Sequence, residues 1–176
     1  MTIAGLAASA LLQNLAFLAA ATVFFLFAGR AYLQSARFEV PRPYPRWFGA
    51  WLKLVLVGGI AMPALCFVYY GFVRAQPGVV IVLGAYFVTL AIQIAYEITA
   101  TRRWGSPLWV AVPCVFLTWR LWQCLWGADV LERMNAPRGA VATLWLLLAL
   151  WIFNYAVHLG SLPRLLRWPR RREDPA

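Results

Sequence analysis

The sequence predicts an all-α fold, an integral membrane bundle of about five transmembrane helices, and three observations carry that expectation. The chain is 63% hydrophobic and only 12% charged, far from the ~25% charged composition of soluble domains. Its apolar residues gather in runs that, at about 1.5 Å per residue, are long enough to cross the ~30 Å hydrocarbon layer. Its basic residues fall almost entirely between and after those runs, where they read as topology signals. A net charge of +10 distributed in this way suits an anionic lipid surface and points away from nucleic acid.

The bundle is expected over residues 1–162, with spans near 3–29, 47–72, 79–100, 107–126 and 140–162. The first run has no basic residue before it and no small-residue cleavage site, so it reads as a retained span. The linker that follows holds Pro41, Pro43 and Pro45 among Arg37, Arg42 and Arg46; its proline spacing predicts an extended basic loop. The second span opens on Trp47, Trp51 and Lys53 and contains Gly58, Gly59 and Pro63, where a kink is expected. The segment 74–78 is a tight Pro-Gly connection that makes spans two and three antiparallel neighbours. The fourth span carries Pro113 and Arg120, and residues 127–139 read as a polar loop of mixed charge. Residues 163–176 form a basic tail with apolar residues interleaved, suited to an anionic membrane surface.

Five spans impose alternation on the loops. One side collects twelve of the sixteen basic residues, and the other holds Arg74, Arg133 and Arg138, with Arg120 left inside the membrane. The positive-inside rule then places the amino terminus outside or in a lumen and the tail in the cytoplasm, in a bacterial inner or thylakoid membrane. Cys66, Cys114 and Cys124 lie within spans and form no paired motif. They read as small buried hydrophobes, and no metal site is expected.

The third span is the one with a candidate site. Tyr86, Thr89, Gln93 and Glu97 recur at spacings of three and four, so they share one helical face, which must meet protein or water. Asn154 and His158 share a face of the fifth span at nearly matching depth. Gln93, Glu97, Asn154 and His158 therefore form a candidate cluster, either a packing device of interhelical hydrogen bonds or a polar contact set for a ligand. Arg120 counts as roughly 20 Å from the Pro107 boundary, with Glu97 about 15 Å shallower, which disfavours a direct ion pair. Arg120 is instead expected to snorkel toward the outer face among Trp119, Trp122 and Trp126, touching lipid or a headgroup, or to be helped by Gln13 and Asn14. For His158 alone, axial ligation of haem or chlorophyll stands beside packing, and a single histidine excludes bis-histidine haem within one subunit.

Gln93-x-x-x-Glu97, Ser106, Val112-Pro113 with Arg120 seven residues after the proline, Leu150-Trp151-x-x-Asn154 and Leu162-Pro163-Arg164 together resemble a small uncharacterised multi-pass membrane family of cyanobacteria and plant plastids. The resemblance covers about the last two thirds of the chain, with a weaker echo from Gly58 to Tyr70. It implies a photosynthetic-type membrane and no catalytic role; a polar amino-terminal extension like that of plastid members is lacking, which favours a bacterial one. Five spans, many tryptophans and the Pro43-Tyr44-Pro45-Arg46-Trp47 segment also look like the tryptophan-rich sensory and translocator proteins. That second likeness is compositional, since Gln93 and Glu97 stand where those proteins carry a tryptophan and asparagine pattern.

The leading functional expectation is a non-enzymatic accessory, assembly or scaffold protein of a membrane complex, with membrane lipid and a membrane-protein partner or a second copy as partners. The alternative is binding or transport of a lipophilic ligand such as a porphyrin, quinone or carotenoid. A third is an intramembrane isomerase or hydratase that moves a proton between Glu97 and His158.

Overall fold

The computed structural model describes residues 2–31, 46–103, 107–160 and 162–163. Of the extended loop expected from Arg30 to Arg46, residues 32–45 lie outside the described residues, as do residues 164–176 of the basic tail. The described residues are helical apart from short turns, with no strand among them, and five helices are long and apolar enough to cross a membrane. We label them α1 (Ile3–Ala31), α2 (Phe48–Val73), α3 (Pro77–Arg102), α4 (Leu108–Arg133) and α5 (Arg138–Leu159). This is an all-α bundle with the pattern of a multi-pass membrane protein.

The helix ends follow from backbone chemistry. α3 begins with Pro77 at its first position, where a missing N–H costs nothing and the fixed φ already suits a helix. α4 opens with a 3-10 turn, Pro107–Val110, before its regular part, Ala111–Arg133. Pro113 thereby falls in the first α-helical turn, whose N–H groups have no intrahelical acceptor to lose, and the helix runs on unbroken. α2 is different, because Pro63 sits in its interior. Two π-helical stretches, Val57–Ala61 and Phe67–Val73, flank the short regular segment around that proline, so the expected kink takes the form of widened turns.

Residues 127–139 were expected as a loop, but α4 continues through Arg133 and only the turn after it is non-helical. The reason is close packing at Gly127, where a Cβ would stand 2.6 Å from Val82 Cγ1. Glycine lets α3 and α4 approach there, which extends the buried stripe past Trp126. The charges that suggested a loop are used along the helix surface. Arg133 Nη2 meets Asp129 Oδ1 at 2.9 Å one turn away, and Trp145 Nε1 donates to Glu132 Oε1 at 3.3 Å.

α4 is the centre of the bundle: 61% of its apolar window is buried, against 17% for α1 and for α2. One core joins Val82, Leu83 and Tyr86 of α3 to Leu117 and Cys124 of α4 and to Leu144, Leu147 and Trp151 of α5. A second joins Ala21 and Phe25 of α1 to Val112 and Phe116 of α4. Cys66 and Cys124 are buried free thiols in the first of these cores, and Cys114 is a further buried free thiol on α4.

Two tight turns use left-handed backbone. Asn135 (φ 51°) closes α4, with Ala136 N–H donating to Leu131 O at 2.9 Å. Ala75 (φ 49°) closes α2, with Gln76 N–H donating to Tyr70 O at 3.1 Å. Asparagine tolerates this region, whereas alanine brings its Cβ against the backbone at a cost of about 1 kcal/mol or more. Ala75→Gly is therefore expected to raise stability by roughly 0.5–1 kcal/mol despite glycine's larger unfolded-state entropy. A thermal midpoint in detergent that falls in Ala75→Gly would show the turn to be unstrained.

Candidate functional site

Arg120 is 1% exposed and stands in the middle of the bundle. Its Nη2 donates to Gln93 Oε1 at 2.6 Å, and Gln93 Nε2 donates onward to Glu97 Oε1 at 2.8 Å. The guanidinium carbon lies 4.9 Å from the ring centroid of Tyr86 and 4.9 Å from that of Trp151. Two aromatic faces thus flank one cation, an arrangement worth more once water is excluded. Arg120 Nε and Nη1, and Trp151 Nε1 beside them, are buried and make no well-formed hydrogen bond among the described residues, although both side chains face the Tyr86 hydroxyl.

The snorkelling expected of Arg120 is corrected by this burial; no direct Glu97–Arg120 ion pair forms among the described residues, but the two are joined through Gln93. Counting Cα rise alone left out the lean of the side chains. In a helix each Cα–Cβ bond tilts toward the amino terminus. α3 and α4 run antiparallel, so Gln93 leans away from the Arg102 end of the bundle while Arg120 leans toward it. The two side chains close the gap between them, and Gln93 links the guanidinium to the Glu97 carboxylate.

Tyr86 is fixed by a second consequence of Pro63. A helical Pro63 has no N–H to give to the carbonyl four residues earlier, and that carbonyl belongs to Gly59. The Tyr86 hydroxyl donates to Gly59 O at 2.5 Å. Gly59 also permits close approach of α2 to the site, because a Cβ there would stand 2.7 Å from Trp151 Cζ2. The proline, the glycine, the tyrosine and the tryptophan are therefore one unit that walls the cation.

The other sequence-derived candidates divide between two places. Asn154 Oδ1 accepts from Trp51 Nε1 at 3.0 Å, and the His158 ring sits 5.9 Å from the Trp51 ring. The expected convergence of four groups is thus two pairs: Gln93 with Glu97, and Asn154 with His158 against Trp51 of α2. Trp119 Nε1 donates to Asn14 Oδ1 at 3.0 Å and Trp122 Nε1 to Gln13 Oε1 at 3.2 Å, which ties α4 to α1. Asn14 Oδ1 also accepts from Gln123 Nε2 at 2.9 Å, and Gln123 Oε1 accepts from Thr89 at 3.0 Å. A cavity of about 10 Å³ borders this knot, room for about one water. Gln123 escaped the sequence reading, although its spacing of three from Arg120 puts both on one face. Among the described residues no group of three or more His, Cys, Asp or Glu residues gathers as a metal site.

No family model, curated protein or solved structure matches the chain. The site must be interpreted from its own chemistry.

Tyr86→Phe removes the hydroxyl that donates to Gly59 O and is expected to cost about 1–3 kcal/mol. In a Pro63→Ala background, which restores an N–H at residue 63, the same change is expected to cost clearly less. Equal costs in the two backgrounds, measured by thermal or denaturant unfolding in detergent, would break the link between Pro63 and Tyr86.

Proposed function

We propose that this chain is a non-enzymatic membrane-embedded binding protein for a lipophilic molecule bearing an acceptor oxygen, which Arg120 recognises. The supporting observation is three N–H donors, Arg120 Nε, Arg120 Nη1 and Trp151 Nε1, buried in one cluster without a well-formed hydrogen bond among the described residues. Packing alone leaves these donors short of acceptors, and a fully unsatisfied buried donor costs about 1–3 kcal/mol. A carboxylate or carbonyl would accept from them while the Tyr86 and Trp151 rings cover its apolar body. Porphyrin carboxylates and quinone carbonyls meet this chemistry, whereas a hydrocarbon carotenoid offers no acceptor. α2 is the natural gate, because it covers this face, is thinly packed and contains two π-helical stretches.

By the positive-inside rule the Arg30 and Arg102 end of the bundle faces the cytoplasm. The family resemblance makes the membrane a bacterial inner or thylakoid one. A second function, as an accessory subunit of a membrane complex, draws support from α1, which keeps Leu11, Leu12, Leu15 and Phe27 turned outward. Isolation in mild detergent only as a free monomer would count against that second function.

Mild-detergent purification followed by organic extraction and mass spectrometry tests the ligand proposal. A co-purifying oxygenated lipophile is expected from the native chain, and at least about a tenfold loss of it from Arg120→Leu, the worth of one charge-assisted hydrogen bond. No co-extracted lipophile, together with no thermal shift on adding a short-chain quinone or protoporphyrin, would sink the proposal.

A further inference from the structure

Away from Arg120, α1 and α3 leave a crevice of about 290 Å³ between them, lined by Thr22, Phe25, Leu26, Ala95, Tyr96 and Thr99. Its wall on α1 is Thr22, Phe25 and Leu26, and Arg30 stands four residues beyond Leu26. Its wall on α3 is Ala95, Tyr96 and Thr99, and Arg102 stands three residues beyond Thr99. Residues so spaced share a helical face, so each apolar wall ends on a cation one turn beyond the crevice. Arg30 and Arg102 are both exposed. α1 and α3 run parallel, so both cations lie at one end of the bundle.

The deep end of the crevice is closed by a polar tie. Thr22 Oγ1 donates its one proton to Leu18 O at 2.7 Å, so the Tyr96 hydroxyl must donate in the 2.6 Å contact between the two oxygens. The lined stretch of α1 runs four residues, from Thr22 to Leu26, about 6 Å at the α-helical rise, and Arg30 stands about 6 Å further on. The crevice is thus a short apolar slot with two cations about one turn beyond its open end.

We propose that this slot is a binding site for an anionic phospholipid, with one acyl chain between α1 and α3 and the phosphate at Arg30 and Arg102. The charge complementarity selects the lipid. A zwitterionic headgroup carries its own cation to the mouth and loses the net attraction, whereas an anionic one keeps it. Each interfacial arginine is worth about a factor of five in binding to anionic lipid, so the pair gives roughly a 25-fold preference.

Native mass spectrometry of the full-length protein in detergent, titrated separately with phosphatidylglycerol and phosphatidylcholine, tests this. One phosphatidylglycerol retained per chain is expected, with the preference stated. Ala95→Phe fills the slot and changes no charge, and it is expected to lower retention by about tenfold or more while the basic tail is intact. Leu26→Trp fills the slot from the opposite wall and should do the same, which covers a failure of either variant to fold. Arg30→Gln with Arg102→Gln should bring the headgroup preference close to parity. Equal retention of the two lipids by the native chain would overturn the site. So would unchanged phosphatidylglycerol retention in the slot-filling variants, since the basic tail alone would then be holding the lipid.

Discussion

Everything in this bundle is arranged around one guanidinium held away from water. An isolated cation in the hydrocarbon layer is expensive, and Arg120 is 1% exposed, so its surroundings must supply what solvent would. Gln93 gives a carbonyl oxygen and is itself held by Glu97 Oε1 one residue further along the chain of hydrogen bonds, and the Tyr86 and Trp151 rings give two electron-rich faces. These groups come from α3, α4 and α5, so the cation fixes the relative rotation of the three central helices.

α2 joins this arrangement through backbone chemistry. Pro63 deprives Gly59 of a donor, Tyr86 replaces it, and the same glycine lets Trp151 come close. A feature that weakens one helix thereby becomes a contact between two. The outer polar knot works in the same way, with Asn14 accepting from Trp119 and Gln123 at once. In a bilayer such hydrogen bonds supply orientation that apolar contact with equally apolar lipid cannot.

The membrane class and the helical bundle were legible because the length of an apolar run and the position of arginine are one-dimensional signals. Tyr86, Thr89, Gln93 and Glu97 on one face followed from helical periodicity alone. Arg120 was legible as an intramembrane cation but was aimed the wrong way, because residue counting measures Cα height and ignores the lean of a long side chain. The Gly59 carbonyl was invisible for another reason: its availability depends on Pro63, its use on Tyr86, and only packing joins the two helices. The continuation of α4 through Gly127 was hidden by local charge, since a glycine followed by Asp129, Glu132 and Arg133 looks like a loop until the neighbouring Val82 is seen.

The dependence of the bundle on Arg120 and Gln93 is tested most directly by a double-mutant cycle of Gln93→Leu and Arg120→Leu, read by unfolding in detergent. Gln93→Leu alone strips a buried cation of its acceptor and should cost about 2–4 kcal/mol, while removing both partners should cost at least ~1 kcal/mol less than the sum of the single changes. Costs that add within about 0.5 kcal/mol would show the two side chains to be independent, and Arg120 would no longer be the residue around which the helices are set.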